Sequence, residues 1–308
     1  MEITPVYRRL VLSLAGSRWV SQAAQRLGME LGASRFVAGE SLDEALAVAA
    51  DLNRRGVLAT LDHLGEGVQE ERLARHMGLA YLDLLEGISQ CGVQANVSLK
   101  LTQMGLALSP RLAADIVRGI VERAAALGNF VRIDMEDSPW TEATLALYRD
   151  LRSAGLENVG VVIQACLYRS ARDVADLAAM GANVRVVKGA YREPPTVAYP
   201  RKADVDENYR NLAAALLTAG CYTAVATHDP RLIDWAKAFT AEQGITRDRF
   251  EFQMLYGVRM QWQEELAREG FRVRCYVPYG KMWYPYFVRR IAESPSNAGF
   301  LLRNLFKR

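Results

Sequence analysis

Eight short apolar runs recur along the chain about one helix apart, and nearly all of them end on a polar or charged residue. They are Val57 to Asp62, Val97 to Lys100, Val131 to Asp134, Val159 to Gln164, Val184 to Lys188, Tyr222 to His228, Phe250 to Gln253 and Phe271 to Tyr276. Amphipathic stretches with helix punctuation fill the gaps: Ser138 before Pro139 with closure at Gly155, Ser170 with Asp173 and closure at Gly181, Asp229 before Pro230 with closure at Gly244. Strand followed by helix, eight times over roughly 250 residues, predicts an α/β fold closed as a (β/α)8 barrel of the TIM type. Parallel closure would gather Asp62, Lys100, Asp134, Gln164, Lys188, His228, Gln253 and Tyr276 on one rim, where barrels of this kind carry their sites.

The length of 308 residues fits one such barrel, expected over residues 51–308 with its terminal helices, preceded by an N-terminal helical arm over residues 1–50. Residues 1 to about 40 read as helical and carry Arg8, Arg9, Trp19 and Arg35. Ser41-Leu42-Asp43-Glu44 then reads as a capping box, opening a helix that ends before Gly56. The balance of 38 Lys+Arg against 35 Asp+Glu, a net charge of +3, is too small to mark a nucleic-acid footprint. No apolar run reaches about 18 residues, so neither a membrane span nor a signal peptide is expected, and a cytoplasmic location is. Cys91, Cys166, Cys221 and Cys275 lack CxxC spacing and read as reduced thiols. The sequon at Asn96 falls inside a predicted strand and reads as a chance match.

Several residues invite chemistry. Strand alternation puts Arg185 and Lys188 on opposite faces among valines, so at least one cation needs a partner other than water. That partner is either a carboxylate on a neighbouring strand, such as Asp134, or an anionic cofactor; Lys188-Gly189-Ala190 offers an ammonium and exposed amides to a phosphate. Asp134, Glu136 and Asp137 cluster before Ser138-Pro139, and a helix-start role explains Asp137 better than Asp134, which suits an ion pair with Lys100. Thr227 and His228 precede a helix N-terminus and suit a phosphate. The connection from Gly189 to Asp204, with Pro194, Pro195 and Pro200, is long enough to read as a functional loop. On the last helix, Tyr286, Arg289, Arg290 and Glu293 share one face, and paired guanidiniums flanked by tyrosines make a fork for a carboxylate. Scattered histidines argue no metal site, and no complete Gly-x-Gly-x-x-Gly or GxxxxGK[ST] occurs.

Six segments in order carry a resemblance: Val97 to Thr102, Ile133 to Glu136, Arg185 to Tyr191, Ala226 to His228, Phe252 to Gly257 and Tyr286 to Glu293. Together they closely resemble the proline dehydrogenase family in its monofunctional bacterial form, over roughly residues 55 to 300. The resemblance implies a distorted, FAD-bearing barrel that oxidises L-proline to 1-pyrroline-5-carboxylate, the first step of proline catabolism to glutamate. It further implies electron transfer to a quinone at the membrane surface, peripheral attachment to the inner face of that membrane, and functional coupling to pyrroline-5-carboxylate dehydrogenase. Residue by residue, it implies that Arg289 and Arg290 clamp the substrate carboxylate, Lys100 assists, Glu293 orients the arginines, and Tyr191, Leu255, Tyr276 and Tyr286 wall the ring. Arg185 would lie beside flavin N5, Asp134 would hold Lys100 or the arginines, and Met135, Gln164, Lys188, Gly189, Ala190, Thr227 and His228 would contact FAD. Such a reaction requires a flavin, a carboxylate anchor and apolar walls. Two rivals remain at this stage: a flavin barrel for another small amino or hydroxy acid, and a non-catalytic basic barrel, for which polar residues should form an exposed stripe. The segment Phe300 to Arg308, apolar and basic, reads as a helix packed on the barrel or touching a membrane.

Overall fold

Eight parallel strands hydrogen-bond to one another in chain order, and the eighth returns to the first to close a barrel. They are β1 (Leu58–His63), β2 (Ala95–Leu99), β3 (Val131–Ile133), β4 (Val159–Gln164), β5 (Val184–Val187), β6 (Thr223–Ala226), β7 (Phe250–Leu255) and β8 (Val273–Tyr279). The seam between β8 and β1 runs from Leu58 opposite Arg274 to His63 opposite Tyr279. The computed structural model describes residues 32–293; the arm before them and the segment from Phe300 to Arg308 lie outside the described residues.

The helices are α1 (Leu42–Arg54), α2 (Glu71–Cys91), α3 (Pro110–Ala126), α4 (Thr141–Ser153), α5 (Ser170–Ala179), α6 (Lys202–Thr218), α7 (Pro230–Glu242), α8 (Met260–Arg268) and α9 (Trp283–Glu293). Their ends follow the sequence punctuation. Ser41 and Glu44 form the reciprocal capping box of α1, and Asp229 caps α7 ahead of Pro230. Gly155, Gly181 and Gly244 take positive φ just past α4, α5 and α7, a conformation that spares a Cβ clash only for glycine. Ser170 departs from its expected capping role: its hydroxyl donates to the carbonyl of Gln164 at 2.5 Å. The start of α4 departs too, because Asp137 makes no side-chain cap to the 3-10 turn Ser138–Trp140. Glu193, reaching over from the loop after β5, accepts from the Ser138 amide at 2.8 Å instead.

The barrel is distorted at its seam. Helix α1 packs against β1 and β8 on the outer wall, the place a regular eighth helix would take. Helix α9 instead buries Trp283, Tyr286, Phe287 and Ile291 against Ala33, Phe36, Val37 and Leu64 in a separate apolar cluster. That displacement carries its polar face over the C-terminal mouth. Among the described residues no helix is long and apolar enough to cross a membrane, and all four cysteines are unpaired.

Candidate active site

The C-terminal strand ends and the inner face of α9 enclose a cavity of about 990 Å³, at the upper end of the range of ligand pockets. Every residue singled out from the sequence for substrate, catalysis or cofactor lines it except Glu293, whose side chain lies outside the described residues. The set is Lys100, Asp134, Met135, Gln164, Arg185, Lys188, Gly189, Ala190, Tyr191, Thr227, His228, Leu255, Tyr276, Tyr286, Arg289 and Arg290. Their sequence separations are bridged by barrel closure, which brings the ends of β2 to β8 to one mouth, and by α9, which carries Tyr286, Arg289 and Arg290 over it.

At the cavity floor the charges are paired. Arg185, on β5, donates from Nη1 to Asp134 Oδ1 at 2.5 Å, from Nη2 to Ser98 Oγ at 3.0 Å and from Nε to Gln253 Oε1 at 2.5 Å. The Arg185 guanidinium also sits 5.3 Å from the ring centroid of Tyr276, a cation–π distance. Tyr276 donates to the other Asp134 oxygen at 2.7 Å. Lys100 Nζ lies 3.0 Å from Asp62 and 3.6 Å from Asp134. Burial alone would pull the Lys100 ammonium down, but Asp62 and Asp134 outweigh it and hold it above the usual lysine range. Lys100 is thus a fixed cation rather than a proton donor at neutral pH. Of the two readings open for Arg185, the carboxylate partner is realised, and the same side chain still faces the cavity.

Arg185 and Lys188 diverge as strand alternation requires: Arg185 pairs inside the barrel with Asp134, and Lys188 turns outward to Asp206 on α6. Lys188 directly follows the last residue of β5 and, like Arg185, still borders the cavity. Its ammonium is held by Asp206 at 2.5 Å and Asp229 at 3.0 Å, one member of a charge cluster at the start of α7. His228 accepts the Leu255 amide proton on Nε2 at 2.9 Å, which requires a neutral ring protonated on Nδ1. Burial first, then Arg290 and Arg259, pushes its pKa down to about 4. Thr227 Oγ1 accepts the Asp229 amide proton at 3.1 Å, and Gln164 donates to the Glu136 carbonyl at 2.8 Å.

At the opposite end Arg289 and Arg290 enter from α9. Both terminal nitrogens of Arg289 donate to Glu66, which follows β1. The Arg290 guanidinium lies 5.1 Å from the Tyr286 ring centroid. Glu66 was not foreseen as a site residue, since nothing in its Gly65-Glu66-Gly67 surroundings marks a partner more than two hundred positions away. Arg259 was also missed; it lines the cavity and has a φ of 49°, a strained conformation for a residue with a side chain. Asp62 and Gln253 were placed on the rim by their strand-end positions but given no role, and both make the ionic and amide contacts described above.

Comparison with known proteins agrees with this geometry. The family model for proline dehydrogenase matches residues 45–303. The chain is 45% identical to the proline dehydrogenase of Deinococcus radiodurans over 99% of both chains. It is 42% identical to proline dehydrogenase 1 of Bacillus subtilis over 98% of this chain and 99% of that one. Among solved structures, proline utilization A from Bdellovibrio bacteriovorus, inactivated by N-propargylglycine, superposes with a TM-score of 0.80 at 27% identity; the match covers 89% of this chain and only 33% of that longer one. Sequence, barrel and site agree, and the chain belongs to the proline dehydrogenase family.

Proposed function

We propose that this chain oxidises L-proline to 1-pyrroline-5-carboxylate with FAD as hydride acceptor, and that a quinone takes the electrons onward. The observation that carries this reading is the polarity of the cavity: Arg289, Arg290 and Lys100 offer cations to a carboxylate, while Tyr191, Leu255, Tyr276 and Tyr286 supply aromatic and apolar walls. An acid of proline's size satisfies both ends at once. The cavity is also too large for proline alone, and its donor set suits a dinucleotide: backbone amides at Gly189 and Ala190, Thr227, and the Lys188 cluster at a helix N-terminus. Gly189 has a φ of 111°, and a Cβ there would meet Cys166 Sγ, so the backbone approaches the cavity as only glycine allows.

FAD, when bound, supplies a two-electron acceptor for the hydride on the ring carbon next to nitrogen. The chain's residues do the rest. Arg289 and Arg290 anchor the carboxylate and so fix the orientation of the ring. The nitrogen lone pair becomes the new C=N bond as the hydride leaves, so the amine has to be neutral beforehand; the paired but permanent cations Lys100 and Arg185 favour loss of its proton. Asp134 accepts from both Arg185 and Tyr276, and the Tyr276 ring lies against the guanidinium, which together hold Arg185 in place. The walls exclude water, which would otherwise compete for the polar groups.

The purified protein tests this directly. A yellow preparation bleached by proline without oxygen is expected; a flavin-loaded preparation that proline leaves unchanged but another small acid bleaches would select a different substrate. Quinone use is tested by following reoxidation of the proline-reduced protein with a soluble quinone, which should be faster than reoxidation by air.

A further inference from the structure

Beneath the cavity, the barrel interior carries a second polar layer that the proposed reaction does not touch. Glu251, on β7, is 2% exposed and does not line the cavity. Its carboxylate accepts from Arg274 Nε at 2.8 Å, from Tyr222 Oη at 3.0 Å and from Gln253 Nε2 at 2.5 Å. Arg274 is itself anchored, donating to the Ala59 carbonyl at 2.8 Å. Burial alone would push the Glu251 carboxyl up, but Arg274 and the bonds from Arg274 and Gln253 hold it below the ordinary glutamate value. Glu251 is thus an anion at every pH where the enzyme would work.

An ionised carboxylate only accepts hydrogen bonds, and a guanidinium only donates them. Gln253 lies between the two, one inward-facing position above Glu251 on the same strand. Its amide has one arrangement that satisfies both neighbours: the NH₂ toward Glu251 and the carbonyl toward Arg185 Nε, as observed. Turned over, it would set a carbonyl against a carboxylate and an NH₂ against a guanidinium. The anion below therefore dictates which end of Gln253 faces the arginine above, and the third bond of Arg185 depends on it. Loosening that bond frees the guanidinium to pivot on Asp134 and Ser98.

We propose that Glu251 is a positioning residue for Arg185, acting through the side-chain amide of Gln253 from below the cavity. The consequence for chemistry rests on the proline and FAD reading above: a cation held at a fixed place beside the flavin raises its reduction potential and favours hydride acceptance.

The test is the reduction potential of bound FAD, titrated chemically in wild type, Glu251→Gln, Gln253→Met and the double variant, alongside proline kinetics and thermal midpoints. Glu251→Gln keeps the volume but turns an obligate acceptor into a group that also donates, so the Gln253 amide loses its single orientation. The expected result is a lower flavin potential and a kcat for proline down about tenfold, the scale of one charge-assisted hydrogen bond. The proline KM should stay within about twofold, because the arginine fork of α9 is untouched. Gln253→Met leaves the contacts of Glu251 with Arg274 and Tyr222 in place and has to shift the potential in the same direction. The double variant should match Gln253→Met alone, since the two residues act in series. A flavin potential unchanged in Glu251→Gln, or effects on the potential that add in the double variant, would overturn the relay and leave Glu251 as a counter-ion for Arg274. Should Glu251→Gln fail to fold, an unshifted potential in Gln253→Met overturns the relay by itself. Chemical titration needs no substrate, so a wild type that proline fails to reduce would refute the proposed reaction without deciding the relay.

Discussion

Glu66 and Arg289 meet as a forked ion pair, with both terminal nitrogens of the arginine on one carboxylate. Their side chains are 32% and 30% exposed, so the pair is partly solvated and contributes little net stability. A substrate carboxylate offers the same two oxygens to the same fork. On the proposed reading, a substrate carboxylate would compete with Glu66 for that fork.

Arg289→Met should therefore act on substrate binding and leave the cofactor alone. We expect the proline KM to rise by about 30- to 1000-fold, roughly 2–4 kcal/mol of charge-assisted binding, with the flavin-to-protein ratio unchanged. Steady-state kinetics and the flavin absorbance of the same preparation check both halves.

Asp134 balances two buried cations at once, Arg185 and Lys100. Asp134→Asn leaves them short of one negative charge and should cost roughly 3–5 kcal/mol in urea denaturation, the range for breaking a buried ion pair. Tyr276→Phe removes a single hydrogen bond to the same carboxylate and should cost only about 1–2 kcal/mol. Similar losses for the two variants would mean that Asp134 is not the charge that holds the floor together.

The barrel was legible because apolar runs of strand length ending on polar residues report two things together, a buried strand and an exposed end. Lys100, Asp134, Gln164, His228 and Tyr276 all reached the cavity on that logic. Helical spacing on the last helix singled out Tyr286, Arg289 and Arg290, and the resemblance added Met135, Tyr191 and Leu255. What the sequence hid were partnerships across long separations: Glu66 with Arg289, Asp206 with Lys188, and Glu193 with Ser138. Each depends on tertiary packing, Glu66 and Glu193 standing in loops and Asp206 on α6. The same holds for α1 standing in for the eighth outer helix, since amphipathicity shows that a helix has a buried face but not which wall it covers.

His228 should make stability depend on acid. Its pKa is depressed to about 4 in the folded protein, against about 6.5 in an unfolded chain. The unfolded state then binds more protons between those values, so stability from this residue is complete above about pH 6.5 and is lost as pH falls toward 4. The loss should total roughly 3 kcal/mol, and a His228→Gln variant at equal cofactor load should lack that part of the slope. Denaturation midpoints at pH 7.5, 6 and 5 would show it; parallel curves for the two proteins would refute it.

Gly189→Ala should damage the cofactor end of the site. The residue has a φ of 111°, and its new Cβ would press on Cys166 Sγ. We expect a stability loss of about 1–3 kcal/mol, the scale of one backbone outlier, together with weaker FAD retention on dilution. Trimming the neighbour with Cys166→Ala should relieve the contact but not the backbone strain, so recovery should be partial.

Anaerobic mixing of the purified protein with L-proline, read by flavin absorbance, tests the central claim most directly. The account predicts a preparation that carries FAD and loses its yellow absorbance in proportion to proline added, with 1-pyrroline-5-carboxylate formed in equal amount. A preparation that binds no flavin, or whose bound flavin stays oxidised in saturating proline, would contradict it.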